Sequence, residues 1–237
     1  MDNKVAETIA ALSDGRSGAG ATRFPMSLDT RIFLGINDFA RATPWLHPVV
    51  SAYAGVAAGV FAGLALTGVF AARHRGGIGT MAAALWVPVA MVLAVRVNQP
   101  LAAFLGKTRP YVSHAGILVL GNHAGPTFPS HRAAAAGAIV AGLLLVHRYL
   151  ALAAAAAALA LAFADVYTAA HYPQDELAGL ILGAAVCLIG FDLTRHPLCW
   201  SLRLLGRTRF RRLITDTPGP DPASTGRPDG HEPRVFR

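Results

Sequence analysis

The stretch from Ser130 to Asp175 reads S-HR-AAAAGAIVAGLLLV-HR-YLALAAAAAALALAFA-DVYTAA-HYPQD. Two uncharged apolar runs, Ala133–Val146 (14 residues) and Tyr149–Ala164 (16 residues), stand between short polar groups. Their Ala and Leu content favours helix. His147-Arg148 leaves room only for a tight hairpin, so the two helices are expected to be antiparallel neighbours. Either run alone would suit a soluble core. Upstream, however, Val49–Ala72 holds 24 uncharged residues and Ile78–Val95 holds 18, and a bilayer core needs about 20. A further run, Leu177–Phe191, follows the quoted stretch. The expected fold is all-α: an integral membrane helical bundle of about five transmembrane helices. Charged groups at the ends of such helices are costly to desolvate, so they mark a site.

Composition agrees with a membrane class. Apolar residues make up 54% of the 237 and charged residues only 14%, against roughly 25% charged in soluble proteins. The +8 net charge is concentrated: Arg195, Arg203, Arg207, Arg209, Arg211 and Arg212 crowd the segment after the last apolar run, with no acid between Leu193 and Ile214. That distribution is the positive-inside mark of a cytoplasmic flank rather than a nucleic-acid arm. Cys187 and Cys199 have no metal-type spacing and are read as packing residues.

Residues 1–26 lack a continuous apolar core and read as a flexible tail rather than a signal peptide, so the first span is expected to direct insertion. From Leu28 to Arg41, Leu28, Ile32, Phe33, Ile36 and Phe39 recur at helical spacing among charged residues, which predicts an N-terminal amphipathic helix in the membrane interface. The expected organisation is a tail over 1–26, a membrane-embedded helical domain over 27–195, a basic juxtamembrane segment over 196–214 and a disordered tail over 215–237. With the basic tail cytoplasmic, alternation puts Arg73–Arg75 and His147-Arg148 on the same side. The three remaining polar patches then share the extracytoplasmic face.

Those patches are Lys107-Thr108-Arg109-Pro110, Pro129-Ser130-His131-Arg132 and His171-Tyr172-Pro173-Gln174-Asp175. His171 and Asp175 are spaced i, i+4, which on a helix puts both on one face. A carboxylate there can hold the Nδ1 proton and leave Nε2 as nucleophile or base. Arg109 offers a planar cationic fork suited to phosphate. Ser130 stands at a helix start, where its hydroxyl can cap the backbone or meet an anion.

The ordered set resembles the type-2 phosphatidic acid phosphatase superfamily, membrane lipid phosphatases that share a helical core with vanadium haloperoxidases. The family pattern is Lys, six residues, Arg-Pro; then Pro-Ser-Gly-His; then Ser-Arg, five residues, His, three residues, Asp. Arg109-Pro110, Pro129-Ser130, and His171 with Asp175 match it, and the third motif looks nearest to undecaprenyl-diphosphatase-like members. The departures are specific. The first-motif lysine falls on Ala102, with Lys107 nearby but out of register. Without a gap, the motif histidine falls on Arg132 and the third-motif arginine on Asp165; with a one-residue deletion, His131 becomes the acid. If one pocket holds both changed positions, Arg132 and Asp165 are expected to pair.

The resemblance implies hydrolysis of a lipid phosphate or diphosphate through a phospho-histidine. His171 would attack phosphorus and Asp175 would orient it. Arg109, Ser130 and Arg132 would hold phosphate oxygens, and His131 would protonate the leaving oxygen, with His123 a substitute. No cofactor and no metal are expected, and the sequence shows no run of clustered carboxylates of the kind a magnesium site uses. The expected partners are the lipid phosphate substrate and membrane lipids. The alternative is a catalytically impaired member that binds or scaffolds phospholipids.

Overall fold

A computed structural model describes residues 26–75, 77–121 and 127–205. Among these, seven helices follow in order: α1 (Leu28–Ala42), α2 (His47–Arg75), α3 (Ile78–Leu105), the one-turn α4 (Pro110–Ser113), α5 (His131–Val146), α6 (Arg148–Tyr167) and α7 (Pro173–Leu205). A 3₁₀ turn over Pro44–Leu46 joins α1 to α2. Four segments are long and apolar enough to cross a bilayer: Pro44–His74, Ile78–Ser113, Arg148–Tyr167 and Pro173–Leu205.

The fifth expected span, α5, has 16 residues and is therefore about 24 Å long, short of a hydrocarbon core of roughly 30 Å. Its length is explained by its place. α5 sits at the centre of the bundle, packed against α3, α6 and α7, with Ala133, Ala134, Ala138 and Leu143 all buried. A helix wrapped by protein does not have to match the lipid thickness. The outer helices carry the lipid-facing surface instead, with Val56, Leu66, Phe70, Leu152, Leu159 and Ile181 exposed.

Close approach of α5 and α7 is written in glycine. A Cβ at Gly183 would lie 1.9 Å from the Ala134 carbonyl oxygen, one at Gly137 2.2 Å from that of Leu180, and one at Gly179 2.4 Å from that of Ser130. Gly179 and Gly183 are four apart, the small-residue spacing that lets membrane helices touch backbone to backbone. This contact fixes the start of α5 against the start of α7, where two of the polar patches lie.

Chain direction does the rest. The hairpin at His147 turns α5 into α6, the His147 ring accepting from the Tyr149 amide at 3.2 Å. α3 ends at Gly106, whose φ of +57° suits a residue without Cβ and whose N–H reaches the Ala102 carbonyl at 3.1 Å. The end of α3, the start of α5, the end of α6 and the start of α7 thus share one end of the bundle.

The amphipathic helix forms as expected, with Ser27 capping it by accepting from the Thr30 amide at 3.2 Å. One side of it packs on the bundle. Phe33 and Ala40 are buried against Val166, Ala169, Tyr172, Ala164 and Tyr167, while Leu28, Ile32 and Phe39 stay exposed. Asn37 exchanges two hydrogen bonds with Leu118, at 2.7 and 3.0 Å. α1 is therefore docked on the end of the bundle that carries the polar patches, because its apolar residues split between two faces. Residues 1–25 and 206–237, on which the two tails and Arg207–Arg212 fall, lie outside the described residues, as does His123. α7 continues through Arg195 and Arg203 to Leu205, past the expected domain edge at 195.

Candidate active site

His171 lies in the connection between α6 and α7. The Ala170 and His171 amides donate to the Asp165 carbonyl at 2.9 and 3.3 Å, folding this connection back over the end of α6. Arg109 donates from Nη1 to the Ala170 carbonyl at 2.8 Å, so the first patch braces the third. His171 and Arg109 are both buried.

The expected pair of His171 and Asp175 is present at longer range than a hydrogen bond, and not on a helical face. His171 precedes α7, which begins at Pro173, and its Nδ1 stands 3.9 Å from Asp175 Oδ2. Thr127 fills the gap. Its hydroxyl donates to Asp175 Oδ2 at 2.6 Å and lies 2.9 Å from His171 Nδ1, whose other neighbour is the Thr127 carbonyl at 3.0 Å. The hydroxyl has one proton and an ionised carboxylate can only accept, so that proton belongs to Asp175. Nδ1 must then carry its own proton and donate it to the Thr127 carbonyl. In the neutral ring this makes Nε2 the nitrogen without a proton.

Asp175 is held from every side. The Tyr172 amide donates to Oδ2 at 3.0 Å, and Lys107 Nζ meets Oδ1 at 2.7 Å and Asp29 at 3.8 Å. The same ammonium stands 4.3 Å from the centre of the Tyr172 ring and 5.5 Å from that of Phe128. Burial raises the Tyr172 phenol above its ordinary value, so the ring meets the cation in its neutral form. Lys107, out of register with the motif, thus enters the site from the loop after α3.

Ser130 caps α5, accepting from the Ala133 amide at 3.3 Å, while its own amide donates to the Asp175 carbonyl at 3.0 Å. Asn98, buried on α3, donates to the Pro129 carbonyl at 3.0 Å and holds the second patch in place. Arg132 and Asp165 pair as expected: Nη1 meets Oδ1 at 2.7 Å, and Nη2 donates to the Ala54 carbonyl. His131 is exposed and, with Arg132, lines an apolar cavity of about 170 Å³ bounded by Ala57, Phe61, Met91 and Leu161.

Carboxylates do cluster here, contrary to the sequence expectation. Asp165 and Glu176 are eleven positions apart in sequence but meet beside His171, because α6 ends where α7 begins. Glu176 is 2% exposed, its carboxyl buried beside Ser130 and Asp165.

Residues 83–196 match the sequence model of the PAP2 superfamily. They form a PAP2 superfamily domain. The domain covers all three patches. Two solved structures share the fold. The Aquifex aeolicus LpxE structure is 20% identical, with a TM-score of 0.58 over 71% of this chain and 97% of that one. The PAP2-type phosphatidylglycerolphosphate phosphatase from Bacillus subtilis is 17% identical, with a TM-score of 0.52 over 72% of this chain and 89% of that one. No curated protein matches.

Within the PAP2 domain, Arg109, Ser130, His171 and Asp175 meet at one end of the bundle. Thr127, Lys107, Asn98 and Glu176 join them without having been singled out for those roles. The signal that could have found Thr127 is weak: a hydroxyl three residues before the capping serine. Asn98 was the better clue, as one of a short polar group with Arg96 and Gln99 inside a mostly apolar helix.

Proposed function

We propose that this membrane protein hydrolyses a lipid phosphate or diphosphate through a phosphorylated His171. The observation that carries the proposal is the relay from Lys107 through Asp175 and Thr127 to Nδ1, which leaves Nε2 as the nucleophile. In the first step the Nε2 lone pair forms a bond to phosphorus as the bond to the leaving oxygen breaks. That oxygen takes a proton, for which His131 is the candidate donor. The resulting imidazolium keeps its Nδ1 proton on the Thr127 carbonyl, and its charge faces the Asp175 relay. Water then gives a proton back to His131 and attacks phosphorus, the P–N bond breaks, and His171 and inorganic phosphate are released.

Arg109, the Ser130 hydroxyl and the first-turn amides of α5 supply donors for the phosphate oxygens. The cavity lined by His131 and Arg132 supports a lipid substrate, since its walls are apolar and these two residues follow directly on Ser130. Neither feature distinguishes a prenyl from an acyl chain. For orientation, Arg73, Arg148 and Arg203 stand at the opposite end of the bundle, which supports a cytoplasmic C-terminus and an extracytoplasmic site.

A second reading is a phospholipid-binding or scaffolding protein. It rests on Arg132, whose guanidinium is engaged by Asp165 and the Ala54 carbonyl. Phosphate release from isoprenoid diphosphate and from phosphatidate, by full-length protein in detergent, separates the two. Release abolished in His171→Ala supports hydrolysis. Equal release in both proteins, or none in either, favours binding.

A further inference from the structure

We propose that a cavity at the end of the bundle opposite His171 binds the headgroup of an anionic phospholipid. The cavity measures about 580 Å³ and lies between the first turns of α3, the last turn of α5 and the last turns of α7. That volume falls within the roughly 300–1,000 Å³ usual for small-molecule sites. Thr80, in its wall, and Asn98, which braces Pro129, are 18 positions apart on α3, or about 27 Å of helix. The cavity is therefore separate from the group around His171.

The spacing along α7 builds its basic wall. Phe191, Arg195, Cys199 and Arg203 recur every four residues, which lines them up on one helical face, and His196 stands beside them. Across from them lie Gly79 and Thr80, in the first turn of α3. No acid lines the cavity. Asp192 is the only acid at this end among the described residues; its carboxylate stands 3.4 Å from Arg195 Nε, with both side chains exposed. Exposed pairs of this kind contribute little, so a phosphate can draw the guanidinium away from Asp192.

Depth in the membrane selects a lipid. The 33 residues of α7 make about 50 Å of helix against a hydrocarbon core of roughly 30 Å, so its last turns reach the headgroup zone. Trp200 and Tyr149, both exposed at this end, are aromatics of the kind that mark that zone. Polarity inside the cavity runs the same way as in a phospholipid. Arg195 and Arg203 lie towards the helix end, while Phe191 and Ala83 lie nearer the middle of the bundle, with Leu145 beside them. The guanidiniums suit phosphate oxygens, and the apolar wall suits the glycerol ester and the start of an acyl chain. A soluble phosphate would leave that wall unused. With the C-terminus cytoplasmic, as proposed above, the lipid comes from the cytoplasmic leaflet. The binding itself requires neither that orientation nor hydrolysis.

The test uses full-length protein in detergent, titrated with phosphatidylglycerol or phosphatidylcholine and examined by native mass spectrometry. We expect one phosphatidylglycerol per chain. At about fivefold per arginine, the Arg195→Gln, Arg203→Gln double variant should bind it about 25-fold more weakly. Arg109→Gln, altered at the other end, should bind it as the parent does. A local readout on the unaltered protein guards against misfolded variants. Cys199 is partly exposed in the cavity wall, whereas Cys187 is buried. Phosphatidylglycerol should slow alkylation of Cys199 by N-ethylmaleimide, while phosphatidylcholine and glycerol 3-phosphate at the same concentration should not. Equal protection by phosphatidylcholine or glycerol 3-phosphate, no protection at all, or a double variant within twofold of the parent would overturn the proposal. Loss of binding in Arg109→Gln with retention in the double variant would also overturn it, by placing the lipid beside His171. None of these readouts depends on turnover, so inactivity towards every lipid phosphate would remove the hydrolytic reading while leaving this site standing.

Discussion

Replacing Thr127 with valine keeps the side-chain shape and removes one hydroxyl. That hydroxyl stands 2.6 Å from Asp175 Oδ2 and 2.9 Å from His171 Nδ1, nearer to each than the 3.9 Å that separates the two. Its 2.6 Å bond to Asp175 is charge-assisted, a class worth about 1.5–3 kcal/mol. The Nδ1 proton keeps the Thr127 backbone carbonyl, so ring position is retained while the path to the carboxylate is lost. If the full bond energy is expressed as the imidazolium forms, the rate falls about 10–150-fold at 1.4 kcal/mol per decade. Steady-state phosphate release should show this as a fall in kcat with KM little changed, because Thr127 acts on the ring and not on the substrate. Thr127→Ser should recover most of the rate. A valine variant within twofold of the parent would refute the relay, whatever else the site does.

Other outcomes follow from the same packing. Gly183→Val should destabilise by roughly 1–3 kcal/mol or more, since its Cβ would sit 1.9 Å from the Ala134 carbonyl oxygen; thermal unfolding in detergent measures this. Asp165→Asn should cost about 3 kcal/mol by leaving Arg132 without its anion, and the swapped pair Asp165→Arg with Arg132→Asp should recover at least about 1 kcal/mol of the summed single losses. Lys107→Met should lower kcat and leave the unfolding temperature within a few degrees, because the half-buried ammonium orients Asp175 more than it holds the fold.

The helices were legible because bilayer length and apolar runs are long-range signals that survive in composition. Where the sequence misled, two-dimensional patterning met three-dimensional packing. α5 read as one span among five, yet its 14 uncharged residues were short because protein surrounds it. The i, i+4 spacing of His171 and Asp175 implied a helical face, but Pro173 starts the helix two residues after His171. Thr127 escaped notice because a single threonine in a loop carries no periodicity. Asp165 and Glu176 looked unrelated along the chain, since only the turn from α6 into α7 brings them together. The Arg132–Asp165 pair was foreseeable because two motif departures of opposite charge compensate each other only if they touch.

The most direct measurement is on the enzyme–phosphate bond itself. Rapid quenching of the protein with radiolabelled lipid phosphate, followed by peptide mapping, should find acid-labile, base-stable label on the peptide containing His171. Label should be absent from His171→Ala and should accumulate when hydrolysis is slowed. Turnover in which His171 never carries phosphate, or which persists in His171→Ala, would contradict the account.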